Sequence, residues 1–494
     1  MSDQNNDENA ATIMEAAMLA ALAGSDAGAG VDPTLFRRTD AGNADLFVAM
    51  FGEDLRFVEV WGKWKVWDGT RWIEASDLAL VPFAKEATEH MLRWASTLPE
   101  GERTEWRKHA LASQRRERLR AMIDLAKGDA KVRAEPNLFD ADPLLLGCGG
   151  VTIDLRGKQP KAYRPKREDY ITNSTGIVPN PKADCPEWRE FLDWAFDGDV
   201  FTIEHMQRIA GYLLTGSVRE EKLFAFFGGG ANGKTTFVRT VAEMLGDYAG
   251  SARGTLLMEL QGEKGAASPD VAALRGKRLV VVSETDEQCT LAEAQVKTIT
   301  SNEPIRARDL YSKLFTFMPT HKTILTTNHR PFVKGTDDGI WRRLNIVGFK
   351  QQIATSAQVK DFRETRLRPE LPAILAWAIQ GYYMYQRDGL KPSPAVSAAT
   401  AAYRSDMDYM AEWLDERTVP DPKARCSRTA AYDDYRAWAQ AERRPVLGAP
   451  KFGEELDRRG HPTLRSHGKR HVSGLRLKLP DVTLQLIQGG VGRP

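Results

Sequence analysis

The chain has few residues that would staple or tether it. Only four cysteines occur in 494 residues, Cys148, Cys185, Cys289 and Cys426, far apart and without a C-x-x-C pair or paired histidines beside them. That scarcity excludes a zinc ribbon and a disulfide framework and fits a reducing compartment. Long hydrophobic runs are missing too. The apolar stretch near the start, "ATIMEAAMLAALAG", is too short to span a bilayer, and the "MSDQNNDEN" before it is acidic where a secretory signal needs basic residues. A cytoplasmic protein with no membrane partner is therefore expected, with residues 1–40 forming a disordered acidic tail able to hold one short helix. Nor is there an excess of one charge: 69 basic residues face 67 acidic ones, a net charge of +2, so whole-chain charge does not declare a nucleic-acid partner. With 42% hydrophobic and 28% charged residues, the sequence has material for about three globular domains.

What is present begins at residues 226–237, "FFGGGANGKTTF". Gly228, Gly233, Lys234 and Thr235 fit G-x-x-x-x-G-K-[ST], between an apolar run that reads as a buried strand and "TTFVRTVAEML", which reads as a helix. In that context Gly228, Gly229, Gly230, Ala231, Asn232 and Gly233 would close backbone N–H groups around phosphates. Lys234 would supply charge at the terminal phosphates, Thr235 a hydroxyl to Mg2+, and Thr236 a further N–H. ATP with Mg2+ is the expected ligand. The alternative, a plain glycine-rich turn, explains neither the lysine nor the flanking elements. The motif serves kinases, motors and GTPases alike, so the substrate must be read from elsewhere.

About fifty residues on, "GKRLVVVSETDE" is an uninterrupted apolar strand ending in acids, as a buried parallel strand that orients an attacking water requires. Glu284 is the candidate, with Asp286 or Glu287 able to share metal duty. "HKTILTTNHRPF" is a second such strand, ending in Asn328, either a water-holding amide or a turn former. "TDDGIWRRLNIVGF" sets Arg342 and Arg343 at the entry to another strand, as surface cations or as a guanidinium for transition-state charge. Before the motor, "LFVAMFGEDLRFVEVWGKWKVWDGTRWIEA" predicts a small α+β domain with a hairpin at Asp68-Gly69, its tryptophans read as core rather than as a base-stacking platform. The Arg/Glu-rich "WRKHALASQRRERLRAMIDLAKGDAKVRAEP" reads as a solvated helix face. "CPEWREFLDWAFDGD" and "TIEHMQRIAGYLLTG" read as a helical collar.

Together, "GGGANGKTTF", "RLVVVSETDE", "KTITSNEPIRARDLYSKLFTFMPTHKTILTTNHRP" and "DDGIWRRLNIVGF" resemble the superfamily 3 helicases, in particular the helicase half of phage and plasmid primase-helicases and their poxvirus-type ATPase relatives. The resemblance covers about residues 41–480. It implies an α/β fold: a small α+β domain (41–150), strands and a helical collar for oligomerisation (151–222), an AAA+-like P-loop ATPase (223–392) and a C-terminal winged helix (395–485). It also implies a homo-hexameric ring in a bacterial host cytoplasm, translocating on single-stranded and forked DNA, with Lys234, Thr235, Glu284 and Asn328 from one subunit and Arg342 or Arg343 from the next. A channel hairpin would place Arg306, Arg308, Tyr311 and Lys313 on DNA. Lys451, Arg458, Arg459, Arg465, Lys469 and Arg470 would hold duplex phosphates, in a stretch from Lys451 where basic residues outnumber acidic ones by about two to one.

The sequence departs from the family at Ser283, where a second acid is usual, and at Ser301-Asn302-Glu303, where Gly-Gly-Asp is common. A helicase that also primes is the runner-up, but priming would need clustered carboxylates, and the Asp-x-Asp pairs before the glycine-rich turn are Asp140/Asp142 and Asp197/Asp199, so a separate primase or replication initiator is the expected partner. A non-unwinding initiator or uncoating ATPase is the alternative of another class.

Overall fold

The computed structural model describes residues 30–259, 269–283, 289–308, 314–335, 338–354, 356, 358–466 and 469–478. The N-terminal body begins earlier than expected. Asp32 caps a short turn at Pro33–Leu35, the Val31 carbonyl accepts from His90 Nε2 at 2.7 Å, and Thr39 caps the helix Asp40–Phe51 through a 3.1 Å bond from the Gly42 N–H. Residues 30–40 therefore belong to this body rather than to a tail.

The helices Asp40–Phe51, Val81–Ala95, Glu100–Ser113 and Arg116–Ala126 pack with an antiparallel sheet of β1 (Leu55–Val58), β2 (Lys63–Trp67) and β3 (Trp72–Ala75). Trp64, Trp67 and Trp72 are buried, so these rings fill core. Trp61 stays half-exposed.

The next sheet, β4 (Leu145–Cys148), β5 (Val151–Asp154) and β6 (Lys161–Tyr163), corrects the expected boundary at 150/151, which falls in the Gly149-Gly150 turn pairing Cys148 with Val151. Both glycines there have positive φ, 45° and 96°. Leu146, Cys148, Ile153 and Leu155 share one core with Trp188, Phe224 and Phe237, so this sheet packs with the elements that follow it.

At the centre lies a parallel sheet of β7 (Leu223–Phe227), β8 (Ala249–Arg253), β9 (Leu279–Ser283), β12 (Lys322–Thr327) and β13 (Leu344–Gly348), in the order β13-β7-β12-β9-β8. The molecule is thus a mixed α/β protein. Helices cover both faces of such a sheet, which is why "LFAFF" and "LVVV" read as unbroken apolar runs. Phe227 stands in register with Thr327 and Gly348, and Ser283 with Thr326, so the carboxyl ends of these strands form one edge. In open α/β sheets ligands bind at that edge, where strand order reverses.

The opposite edge is anchored by two buried cations. Arg278 donates to the carbonyls of Leu145, at 2.6 Å, and Leu214, and its guanidinium lies 4.2 Å from the Tyr248 ring. Lys322 donates to the Thr215 carbonyl, and burial holds its ammonium well below the ordinary lysine range. These bonds tie β4 and the end of the helix Val200–Leu213 to the sheet.

Between β9 and β12 runs an antiparallel hairpin, β10 (Ile305–Arg308) with β11 (Leu314–Phe317). The C-terminal part holds the helices Arg428–Ala441 and Ala449–Arg458 against a three-stranded sheet, β14 (Thr418–Ser427), β16 (Lys469–Leu477) and β15 (Thr463–Ser466). The helix Pro394–Asp406, expected to open that domain, instead lies on β13: Thr400 Oγ1 accepts from the Ile346 N–H, and Tyr403 packs edge-on to Trp341. One core runs from the central parallel sheet through Tyr403 and Trp413 to Phe452, so no clean domain boundary falls at 392–395.

Candidate functional site

The glycine-rich turn leaves β7 at Phe227 and enters the helix Lys234–Leu245 at Gly233. Its geometry demands glycine at two positions. Gly233 has φ 85°, and a Cβ there would stand 2.9 Å from the Phe191 ring. A Cβ on Gly228 would meet Asn232 Nδ2 at 2.1 Å and the Phe349 carbonyl at 2.3 Å. Ala231 also adopts a positive φ of 47°, held by a 3.0 Å bond from the Ile353 N–H to its carbonyl.

Lys234 is the first residue of the helix and only 5% exposed. Its Nζ donates to the Gly228 carbonyl at 2.5 Å, to Asn232 Oδ1 at 3.1 Å and to Asn328 Oδ1 at 3.1 Å. Among the described residues these partners are neutral oxygens, so a buried cation sits at the positive end of a helix with no carboxylate from those residues on it. Burial lowers the ammonium from its ordinary value. The helix N-terminus has no capping side chain and no acid in its first turn. An anion would relieve both deficits, and the residues present fit a phosphate chain.

The edge opens into a cleft of about 650 Å3 lined by Lys234, Thr235, Ser283, Thr326 and Asn328, together with Arg239 and His329. The fold therefore brings together Lys234, Thr235 and Asn328 from separate strand ends. Glu284, Asp286 and Glu287 lie outside the described residues, and Ser283 just before them lines the cleft. Arg239 went unnoticed in the sequence; it lies four residues after Thr235, one helical turn along the same face.

On the other side of the turn lies a second cavity, of about 520 Å3, lined by Ala231, Gly233 and Thr236 and by Phe191, Trp194 and Phe362. Phe191 and Trp194 sit on the helix Pro186–Ala195, which the sequence suggested only as a collar.

Arg342 and Arg343 separate sharply. Arg343 is turned inward, its side chain 10% exposed, with bonds to Glu221 Oε2 at 2.7 Å, Thr300 Oγ1 at 3.1 Å and the Gly339 carbonyl at 2.9 Å. Arg342 is 66% exposed and 3.7 Å from Glu221. The expected role of Arg342 or Arg343 at a neighbouring subunit is corrected for Arg343 alone, which is committed within its own chain.

On the β10–β11 hairpin, Arg306 and Arg308 alternate with the buried Ile305 and Ala307 and are exposed. The tip residues Tyr311 and Lys313 lie outside the described residues. Beside the hairpin, the Arg275 guanidinium stands 4.8 Å from the Trp61 ring and 5.1 Å from the Phe315 ring, linking the turn between β1 and β2 to β11.

In the C-terminal part Lys451, Arg465 and Arg470 are exposed, and Arg465 lies directly opposite Arg470 in the β15–β16 register. The Lys469 side chain lies outside the described residues. Arg458 pairs with Glu455 at 2.8 Å. Arg459 is half-buried, bonded to Asp408 at 2.6 Å just past the helix Pro394–Asp406, rather than facing outward.

The two acid pairs are largely structural. Asp140, its carboxyl pushed up by burial, accepts from the Thr172 N–H at 2.9 Å; Asp142 pairs with Arg156 at 3.2 Å; Asp199 caps the helix Val200–Leu213. Asp197 takes a positive φ of 54° in the turn before it. No helix among the described residues is long and apolar enough to cross a membrane.

Fold and site thus define a mixed α/β protein whose parallel sheet presents an anion-ready edge. Comparison with known proteins narrows that class. Residues 44–197 match the family described as D5 N terminal like, and residues 226–343 match a family of unknown function, DUF5906. The chain is 27% identical over 253 residues to "Putative helicase L207/L206" of Acanthamoeba polyphaga mimivirus, covering 48% of this chain and 26% of that protein. It is 29% identical over 268 residues to "Putative helicase 022R" of Frog virus 3, covering 50% and 28%. It is 24% identical over 306 residues to "Putative primase C962R" of African swine fever virus, covering 58% and 32%. The chain therefore spans only about a quarter to a third of the length of these relatives. Among solved structures, the A form apo structure of the NrS-1 C terminal region covers 85% of this chain and is covered over 95% of its own, with TM-score 0.45 and 10% identity. The family matches and viral relatives fit a primase-helicase of the superfamily 3 type.

Proposed function

We propose that this chain is an ATP-hydrolysing DNA helicase of a phage, plasmid or related mobile element, working as a homo-oligomeric ring on single-stranded DNA. The observation that carries the reading is the Lys234 ammonium, buried at a helix N-terminus and bonded to three neutral oxygens, one of them from Asn328. The turn Gly228–Thr236 acts as the phosphate-binding loop. Its glycines allow close approach of backbone N–H groups, and Lys234 exchanges a neutral oxygen for a phosphate oxygen. Asn328, released from Lys234, is then free to help orient the attacking water, the role also proposed for Glu284. Mg2+, which the Thr235 hydroxyl and the Glu284 carboxylate would hold, would neutralise charge on the terminal phosphates. Arg342, exposed where Arg343 is not, is the residue that reaches a neighbouring subunit's nucleotide.

DNA contact follows from two exposed basic features. Arg306 and Arg308 line one face of the hairpin, whose tip would carry Tyr311 and Lys313 into the ring channel. Arg465 and Arg470, like charges directly opposite on adjacent strands, destabilise a free sheet and are relieved by a phosphate between them, which suits a winged helix on duplex DNA together with Lys451 and Lys469.

The test is ATP hydrolysis with and without single-stranded DNA, comparing the native chain with Lys234→Ala. DNA-stimulated turnover by the native chain alone supports the reading. Equal turnover by Lys234→Ala would remove the phosphate site from under it.

A further inference from the structure

The cavity behind the glycine-rich turn is walled by the helix Pro186–Ala195, through Phe191 and Trp194, and by the segment around Phe362. Phe191 is buried, stacked on Trp188 at 5.5 Å and 6.3 Å from both the Trp194 and Phe362 rings. Trp188 in turn stacks on Phe237 of the phosphate-turn helix at 5.4 Å. The outer two rings, Trp194 and Phe362, are only half-buried, so each keeps a ring surface toward the cavity. A core would have closed over them.

The position of the cavity identifies its occupant. Ala231, Gly233 and Thr236 line it, whereas Lys234, Thr235 and Asn328 line the cleft on the other side. A nucleotide whose terminal phosphate lies between Lys234 and Asn328 runs back along the helix N-terminus and delivers its sugar and base to the aromatic side. The volume, about 520 Å3, is ample for a nucleoside.

We infer that Trp194 and Phe362, backed by Phe191, form the base-binding half of the nucleotide site, holding a nucleoside triphosphate by stacking. The inference rests on the phosphate-binding reading of the turn. The helix Pro186–Ala195 then serves both as a collar element and as a wall of the site. Because the Phe191 ring also lies against Gly233, a base seated on Trp194 is sensed directly by the phosphate-turn helix.

Calorimetry on the full chain with magnesium, using ATP and inorganic tripolyphosphate as separate ligands, tests it. Trp194→Ala and Phe362→Ala should each weaken ATP by at least about five-fold, the loss of one stacking contact, and leave tripolyphosphate unchanged, while Trp194→Phe keeps most of the ATP affinity. Lys234→Ala should weaken both ligands. If the Trp194 and Phe362 variants bind ATP like the native chain, or lose both ligands equally, the base site is overturned while the phosphate site stands. If the native chain binds neither ligand, the phosphate reading fails and this inference fails with it.

Discussion

Single residues set what this edge of the sheet can do. Lys234 has a buried charge and, among the described residues, no carboxylate partner, a state that costs stability without a ligand and returns it when an anion binds. Gly228→Ala should abolish nucleotide binding with the fold intact, because its Cβ would fall 2.1 Å from Asn232 Nδ2; retained affinity by calorimetry would mean the turn is not the phosphate cradle. His321 makes a separate prediction about pH. Burial, with Lys322 beside it, lowers its imidazole from 6.5 to about 4. The unfolded chain takes up a proton below pH 6.5 that the folded chain refuses until about pH 4, so this group's share of stability is complete above 6.5 and is lost as pH falls through that window. The loss is on the order of 3 kcal/mol. Denaturant melts between about pH 7 and 4.5 should show the native chain losing more than His321→Leu, and parallel losses would contradict the assignment.

At the scale of elements, the arginine pair and the hairpin are most informative. Arg343→Ala removes a cation bonded to Glu221, Thr300 and the Gly339 carbonyl and should cost on the order of 2–3 kcal/mol. Arg342→Ala should stay within about 0.5 kcal/mol of the native chain in the same melts. Arg275→Ala, by unlinking Trp61 from Phe315, should loosen the hairpin and weaken single-stranded DNA binding more than basal hydrolysis; equal effects would make the bridge merely structural.

These elements also show what was legible in the sequence. The apolar runs of β7, β9 and β12 and the Gly/Lys pattern between β7 and its helix are local signals, and the parallel sheet follows from them. The choice between Arg342 and Arg343 is not local: both lie near Glu221, but Thr300 and the Gly339 carbonyl bond only Arg343 and turn it inward. Trp188, Phe191 and Trp194 at helical spacing look like core, and Trp188 is core; only the placement of Gly233 against Phe191 turns the end of that row toward a ligand. Residues 30–40 read as tail because the contacts that hold them, Val31 with His90 and Phe36 with the helical core, are tertiary.

For the whole molecule, a shared core from the central parallel sheet through Trp413 to Phe452 means that the C-terminal part is not a detachable module, and cutting at residue 395 would strip Tyr403 and Met407 from that core. Charge reversal is the cleaner probe. Arg465→Glu with Arg470→Glu should lower duplex affinity and flatten its salt dependence by about two phosphate contacts while leaving hydrolysis without DNA unchanged. If the proposed ring forms, Arg342→Ala subunits mixed with Glu284→Gln subunits should recover hydrolysis that neither shows alone, and no recovery in any mixture would contradict a site shared between subunits.

If hydrolysis at this edge drives strand separation, displacement of one strand from a forked DNA with ATP measures it most directly. The native chain should displace the strand and Lys234→Ala should not. DNA-stimulated hydrolysis by the native chain without any displaced strand would contradict the helicase reading and point to an ATPase that assembles on DNA without unwinding it.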